Sequence, residues 1–303
     1  MNYFPNNDEE ISLIKFIAGF QYLAVNDTKY FFSSKKYYRK RITGLVEKKY
    51  LRRVKSNLVL DTLGIEYCKL LNFNYTALNR NKKYLPRLLY ISNLGAFFNK
   101  SKNIKYIPSY AMKDKEMFTI TARKFIGAFD INGIEYLVYH ISKAHSNKYL
   151  MSVIYDIQKE RKYKNIIVFV DDIKRIDIQN FTFGYNQVLI IEDNEENRKK
   201  LNTLHNINWA SIIQGLYKNK VYIAEYNFCD YTDYKNKYIS FFYFLDTEKI
   251  NRIKCFLREN KNKFADIICS NELKELLQQE IPNANYITIR LEDFIDEKRN
   301  IYD

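Results

Sequence analysis

The chain has 303 residues, room for two domains of about 100–200 residues each. Its 47% hydrophobic and 16% aromatic content can fill packed cores, and the scarcity of Gly and Pro excludes long disordered tracts. With 49 Lys and Arg against 35 Asp and Glu, a net charge of +14 points to a polyanionic partner.

The first predicted helix covers about 8–19. Asn7 stands three before Glu10 as in a capping box, and Ile11, Leu13, Ile14, Phe16, Ile17 and Phe20 recur at helical spacing. Residues 22–32 are expected to hold a short second helix. A Ser at 33 or 34 then has the residue type that caps a third helix. One face of that helix carries Tyr38, Ile42, Leu45, Val46 and the stem of Lys49. The other carries Lys36, Tyr37, Lys40, Arg41, Gly44 and Lys48. Tyr50–Leu60 reads as a basic two-stranded ribbon turning at Ser56-Asn57, with a further helix starting near Leu63.

Charge concentrates here. Residues 35–55 hold ten Lys or Arg (35, 36, 39, 40, 41, 48, 49, 52, 53 and 55) and one acid, Glu47. The window is therefore +9, which leaves +5 for the rest of the chain. A solvated helix face usually mixes signs, so one-sided charge reads as a binding surface. A basic helix followed by a basic hairpin is the layout of a winged helix-turn-helix. Lys36, Tyr37, Lys40 and Arg41 are expected to face bases, with Gly44 allowing close approach. Arg39, Lys48, Arg52, Arg53 and Lys55 are expected on phosphates and the minor groove, and Ser34 and Lys35 complete the DNA-binding set.

The polar, Asn-rich 72–83 is the expected domain boundary. The domain reading is 1–79, a linking stretch 80–110, and 111–303. Pro86 opens a helix with a broad apolar face (Leu88, Leu89, Ile91, Leu94, Phe97, Phe98). Two readings of that face stand side by side: packing on the second domain, or pairing of two subunits in a homodimer.

From 117 the pattern alternates strands and helices. Strands are expected at 118–120, 125–129, 134–141, 166–170, 188–191, 221–223, 238–245, 265–269 and 286–289, and helices at 146–161, 194–204, 247–260 and 271–279. Asn132-Gly133 is a strong hairpin signal, and the apolar run 166–170 suggests a buried parallel strand. The fold class is α/β to mixed α+β, with a mixed sheet in the second domain.

The N-terminal helix-and-wing pattern, the linking helix and Gly127-Ala128-Phe129-Asp130 with the strands 135–141 and 166–170 resemble the replication-relaxation proteins of bacterial plasmids and other mobile elements. The resemblance covers roughly residues 11–71 and 84–170. It implies a double-stranded DNA-binding protein acting in replication, transfer or transcriptional control.

The second domain also resembles restriction-endonuclease-like folds. Those place an acid on one strand and acid-x-Lys on the next, so that two carboxylates hold Mg²⁺. Asp130 could be the first acid, but neither Glu135 nor Lys143 supplies the rest of the pattern. A catalytically silent domain is expected, with a Mg²⁺-dependent nuclease or relaxase-type enzyme, or a protein-recruiting module in plasmid maintenance, as alternatives. No catalytic residue, metal set or cofactor is assigned. His140 and His145 lack the i, i+4 zinc spacing, and Asp171-Asp172 and Glu192-Asp193 read as solvated acids at strand ends. Cys68, Cys229, Cys255 and Cys269 are scattered, without a C-x-x-C pair, so reduced thiols are expected. The absence of a signal-peptide pattern and of any apolar run near ~18 residues leads to an expectation of a cytoplasmic protein that avoids membranes.

Overall fold

A computed structural model describes residues 5, 7–34, 36–113, 124–204, 207–217, 221–233 and 237–290. The protein is of the α+β class, and its residues divide into two compact units. The first comprises 1–121 and 126–134, the second 122–125 and 135–303.

In the first unit α1 spans Asp8–Phe20. Asn7 caps it by accepting from Glu9 N at 2.8 Å, and Asp8, Glu9 and Glu10 suit the positive end of the helix dipole. The expected second helix is replaced by strand β1 (Leu23–Ala24) and a 3₁₀ segment, Val25–Tyr30. Val25-Asn26-Asp27-Thr28 is rich in residues that favour turns over helix interiors, and Thr28 Oγ1 donates to the Val25 carbonyl at 2.6 Å. Helix α2 follows at Tyr38–Glu47. No serine caps it; Tyr37 occupies that position without a side-chain bond, while Ser33 N donates to Glu9 on α1. At its C-terminus Lys49 adopts φ +59° and Tyr50 N reaches back to Leu45 O at 3.0 Å, a left-handed stop. Lys49 is therefore exposed, not laid on the inner face as its spacing suggested.

Strands β2 (Leu51–Val54) and β3 (Asn57–Leu60) pair antiparallel from Leu51↔Leu60 to Val54↔Asn57. The turn is Lys55-Ser56, one residue earlier than expected, with Lys55 at φ +57°. β1 joins β3, giving the order β1-β3-β2. Helix α3 (Thr62–Leu70) is capped by Asp61. Leu13, Ile14, Ile17, Leu23, Phe31, Ile42, Leu45, Leu51, Leu58 and Cys68 form one core beneath these elements.

The 72–83 stretch has no helix or strand, yet it does not end the unit. Tyr22 OH donates to Asn79 O, and Asn79 N to Gln21 Oε1, both at 2.8 Å. Helix α4 (Leu85–Phe98) belongs to the same unit, with Ser92 Oγ bonded to Tyr22 O and Gly95 facing the Phe20 ring. Its apolar face is thus covered within the first unit, which neither earlier reading anticipated. Strand β4 (Ile104–Pro108), short helix α5 (Ser109–Lys113) and strand β5 (Gly127–Ile131) complete the unit, β4 pairing antiparallel with β5. The strand expected at 118–120 lies outside the described residues.

In the second unit β6 (Ile134–Ile141, in this unit from Glu135), β7 (Asn165–Val170) and β8 (Gln187–Glu192) run parallel. Their apolar runs are buried, as parallel strands require. Helix α6 (Asn147–Gln158), capped by Ser146, links β6 to β7, and α7 (Glu195–Thr203) follows β8. After α8 (Trp209–Leu216) come β9 (Val221–Ile223), β10 (Tyr231–Asp233), β11 (Tyr238–Phe242) and β12 (Leu245–Asp246). Helix α9 (Thr247–Glu259), β13 (Ala265–Cys269), α10 (Asn271–Glu280) and β14 (Asn285–Thr288) close the described chain. β12 pairs antiparallel with β8, and a second mixed sheet has the order β14-β13-β11-β10-β9.

Gly64 on α3 marks the tightest approach in the first core: a Cβ there would stand 2.1 Å from the Tyr50 carbonyl oxygen. Gly64→Ala is expected to destabilise the chain by about 1–3 kcal/mol through overpacking, read as a lower urea midpoint.

Candidate nucleic-acid interface

The inner stripe of α2 sets its outer face. Ile42 and Leu45 are buried and Tyr38 and Val46 half-buried. Lys36, Tyr37, Arg39 and Lys40 are exposed, and Lys48 is half-exposed. Ser34, Tyr37, Lys40, Arg41, Gly44 and Lys48 line a shallow groove of about 410 Å³ on this face. Among the described residues no atom lies within 4 Å of where a Cβ on Gly44 would stand, so their packing does not demand glycine there. Lys35 lies outside the described residues.

Arg41 departs from the expected base-facing role. Its Nη1 pairs with Glu9 Oε2 at 2.5 Å, while Glu9 Oε1 accepts the Ser33 amide at 2.7 Å. One carboxylate thereby ties both the entry loop and the flank of α2 to α1. The Ser33 hydrogen bonds and then the nearby Arg41 charge hold the Glu9 carboxyl below its ordinary range.

On the ribbon, Arg52 and Arg53 are consecutive on the edge strand β2, so they lie on opposite faces, and both are exposed. Lys55 stands exposed at the turn tip. Among the described residues no carboxylate pairs with Lys40, Arg52, Arg53 or Lys55.

The second unit holds a constellation that the linear reading kept apart. His140 is near the end of β6, Asp171 directly follows β7 and Asp193 directly follows β8. His140 Nε2 is 3.0 Å from Asp171 Oδ1 and 3.9 Å from Asp193 Oδ2. Asp171 Oδ2 accepts the Lys143 amide at 2.9 Å, and Arg198 on α7 forks onto both Asp193 oxygens at 2.7 and 3.0 Å. His145 Nδ1 accepts the Ser142 amide at 2.9 Å, and its ring stacks on Tyr149. Arg175 donates to the carbonyls of Lys143 and His145, which pins the loop after β6.

Burial lowers the pKa of His140 despite the two carboxylates, so its imidazole is neutral at neutral pH. Burial opposes ionisation of Asp171, but the Lys143 amide and His140 outweigh it and keep the carboxyl below its ordinary range. Among the described residues these three form the only group of histidine, cysteine and acid side chains able to hold an ion. The signal that could have found them was the acid closing each apolar strand, combined with a parallel register.

Asp130 joins no such group; its Oδ1 accepts Gly133 N at 2.7 Å and so closes the Asn132-Gly133 turn. The four cysteines are free, and no described helix is long and apolar enough to cross a membrane. No family model, curated protein or solved structure matches the chain.

The Glu9 clamp makes a pH-dependent contribution. Its folded pKa is lowered, so the contribution is complete above the unfolded value near 4.5 and is lost as pH falls below it. Glu9→Gln is expected to lower the urea midpoint at pH 7, with the gap to wild type narrowing below pH 4.5. A constant gap across that range would show that the charge on Glu9 is irrelevant to it.

Proposed function

We propose that the chain binds double-stranded DNA in a sequence-dependent way through a winged helix-turn-helix formed by residues 8–71. One observation carries the reading: Lys40 of α2 and Arg52, Arg53 and Lys55 of the β2–β3 ribbon are exposed over an apolar core and, among the described residues, meet no acid. α2 has ten residues, and the diameter of an α-helix with its side chains, about 10–12 Å, fits a major groove about 12 Å wide. Lys36, Tyr37 and Lys40 read base edges. Arg39, Lys48, Arg52, Arg53 and Lys55 hold phosphates, and Gly44 lets the helix come close. Arg41, occupied by Glu9, orients the helix instead of reading bases. The resemblance to replication-relaxation proteins supports a cytoplasmic role in replication, transfer or transcriptional control of a plasmid or other mobile element.

Fluorescence anisotropy with random duplex and with DNA from upstream of the chain's own gene tests this. Its own site is expected to bind on the order of 10³-fold more tightly than random duplex. Equal, weak binding of both would leave only an electrostatic patch. Arg52→Ala is expected to weaken binding to every duplex and to reduce the salt slope by about 1. An unchanged slope would remove the ribbon from the interface.

Gly44→Ala separates folding from binding. It should raise helix stability by up to about 1 kcal/mol, because alanine is the better helix former and its Cβ meets open space. The same methyl should weaken DNA binding. A stabilised variant with wild-type affinity would rule out close approach at this point.

A further inference from the structure

We propose that His140, Asp171 and Asp193 form a binding site for one divalent transition-metal ion, of the Mn²⁺ or Zn²⁺ class, at the carboxyl ends of β6, β7 and β8. The donor atoms all lie within 4.8 Å of one another. An ion about 2.1 Å from each ligand requires neighbouring donors roughly 3.0–3.4 Å apart. His140 Nε2 already stands 3.0 Å from Asp171 Oδ1, the spacing of neighbouring ligands, and 3.9 Å from Asp193 Oδ2, so Asp193 has to move inward to close the set. One imidazole and two carboxylates suit a borderline divalent ion better than a thiolate-seeking one.

The groups around the three residues act as an outer shell. The Lys143 amide holds Asp171 Oδ2, which leaves Oδ1 turned to His140. Arg198 fixes the plane of the Asp193 carboxylate. Conserving ligand orientation through such hydrogen bonds is what an outer shell contributes to metal affinity. Asp193 and His140 are nearly enclosed, at 7% and 12% side-chain exposure, whereas Asp171 is 32% exposed and provides the route of entry. Two carboxylates and one guanidinium leave the cluster at −1, which favours a cation but limits its affinity. Three protein ligands leave positions for water or a substrate oxygen, the pattern of reactive and not of purely structural sites. The carboxyl ends of parallel strands are also where open sheets bind ligands. On binding, Nε2 of His140 gives up the proton it donates to Asp171, either to Nδ1 or to solvent, and the freed lone pair takes the ion.

The test is a Mn²⁺ titration of the full chain followed by electron paramagnetic resonance; Mn²⁺ avoids the four thiols. One bound ion per chain is expected, with electron spin-echo modulation from a single directly bound imidazole nitrogen. His140→Gln and Asp171→Asn, shown to be folded by circular dichroism, should each weaken binding at least about tenfold. Asp130→Asn should leave it unchanged. No bound Mn²⁺, or bound Mn²⁺ without nitrogen modulation in the wild-type chain, would overturn the proposal, as would folded variants that bind as tightly as wild type. The readout involves no nucleic acid, so it stands or falls separately from the DNA-binding reading.

Discussion

Burial of Ile42 and Leu45 is the constraint on which the first unit's surface depends. These side chains are 0% and 2% exposed against Leu13, Ile14, Leu23, Phe31, Leu51 and Leu58. Each contributes about 1.5–3 kcal/mol when taken from water. Turning α2 by one residue would exchange Ile42 for Arg41 or Thr43, and an unpaired buried charge costs far more than it returns. The helix therefore has one rotational setting, which sends Lys40 and Gly44 outward. No further interaction is needed to make the outer face basic.

Glu9 refines that setting. A core contact fixes which side of α2 is inward but leaves the helix free to slide along its axis by fractions of a turn. The Ser33 amide and the Arg41 guanidinium, both on Glu9, restrain the entry loop and the flank together. Arg41 thereby acts as a strut while it still lines the groove. A charge tally of +9 counts it among the binding residues, because counting cannot see a partner twenty-six residues upstream of the window.

The second unit follows a different logic. Parallel strands pair with their ends aligned, so whatever closes one strand lies beside whatever closes the next. Val138↔Ile167, Ile141↔Val170 and Val170↔Glu192 place the ends of β6, β7 and β8 side by side. His140, Asp171 and Asp193 come together across gaps of 31 and 22 residues for that reason. Arg198, one turn into α7, reaches back to the same point.

Periodicity in the sequence determined α1, α2, the ribbon, α3, α4 and the alternation of strands and helices after 125. Each of these buries a stripe or a run whose spacing is local. Asn132-Gly133 was legible for the same reason, since the turn depends on the backbone freedom of two adjacent residues, both at positive φ. Four features depended on tertiary structure alone. The 22–32 segment became a strand and a 3₁₀ turn because β3 offered an edge to Leu23-Ala24. The 72–83 loop stayed within the first unit because Gln21 and Tyr22 bind Asn79. Asp130 was drawn into a turn, and the His140 cluster assembled from three strand ends. Local spacing records what a residue must bury; which distant group meets it is decided by register and packing, and those exist only once the strands have paired.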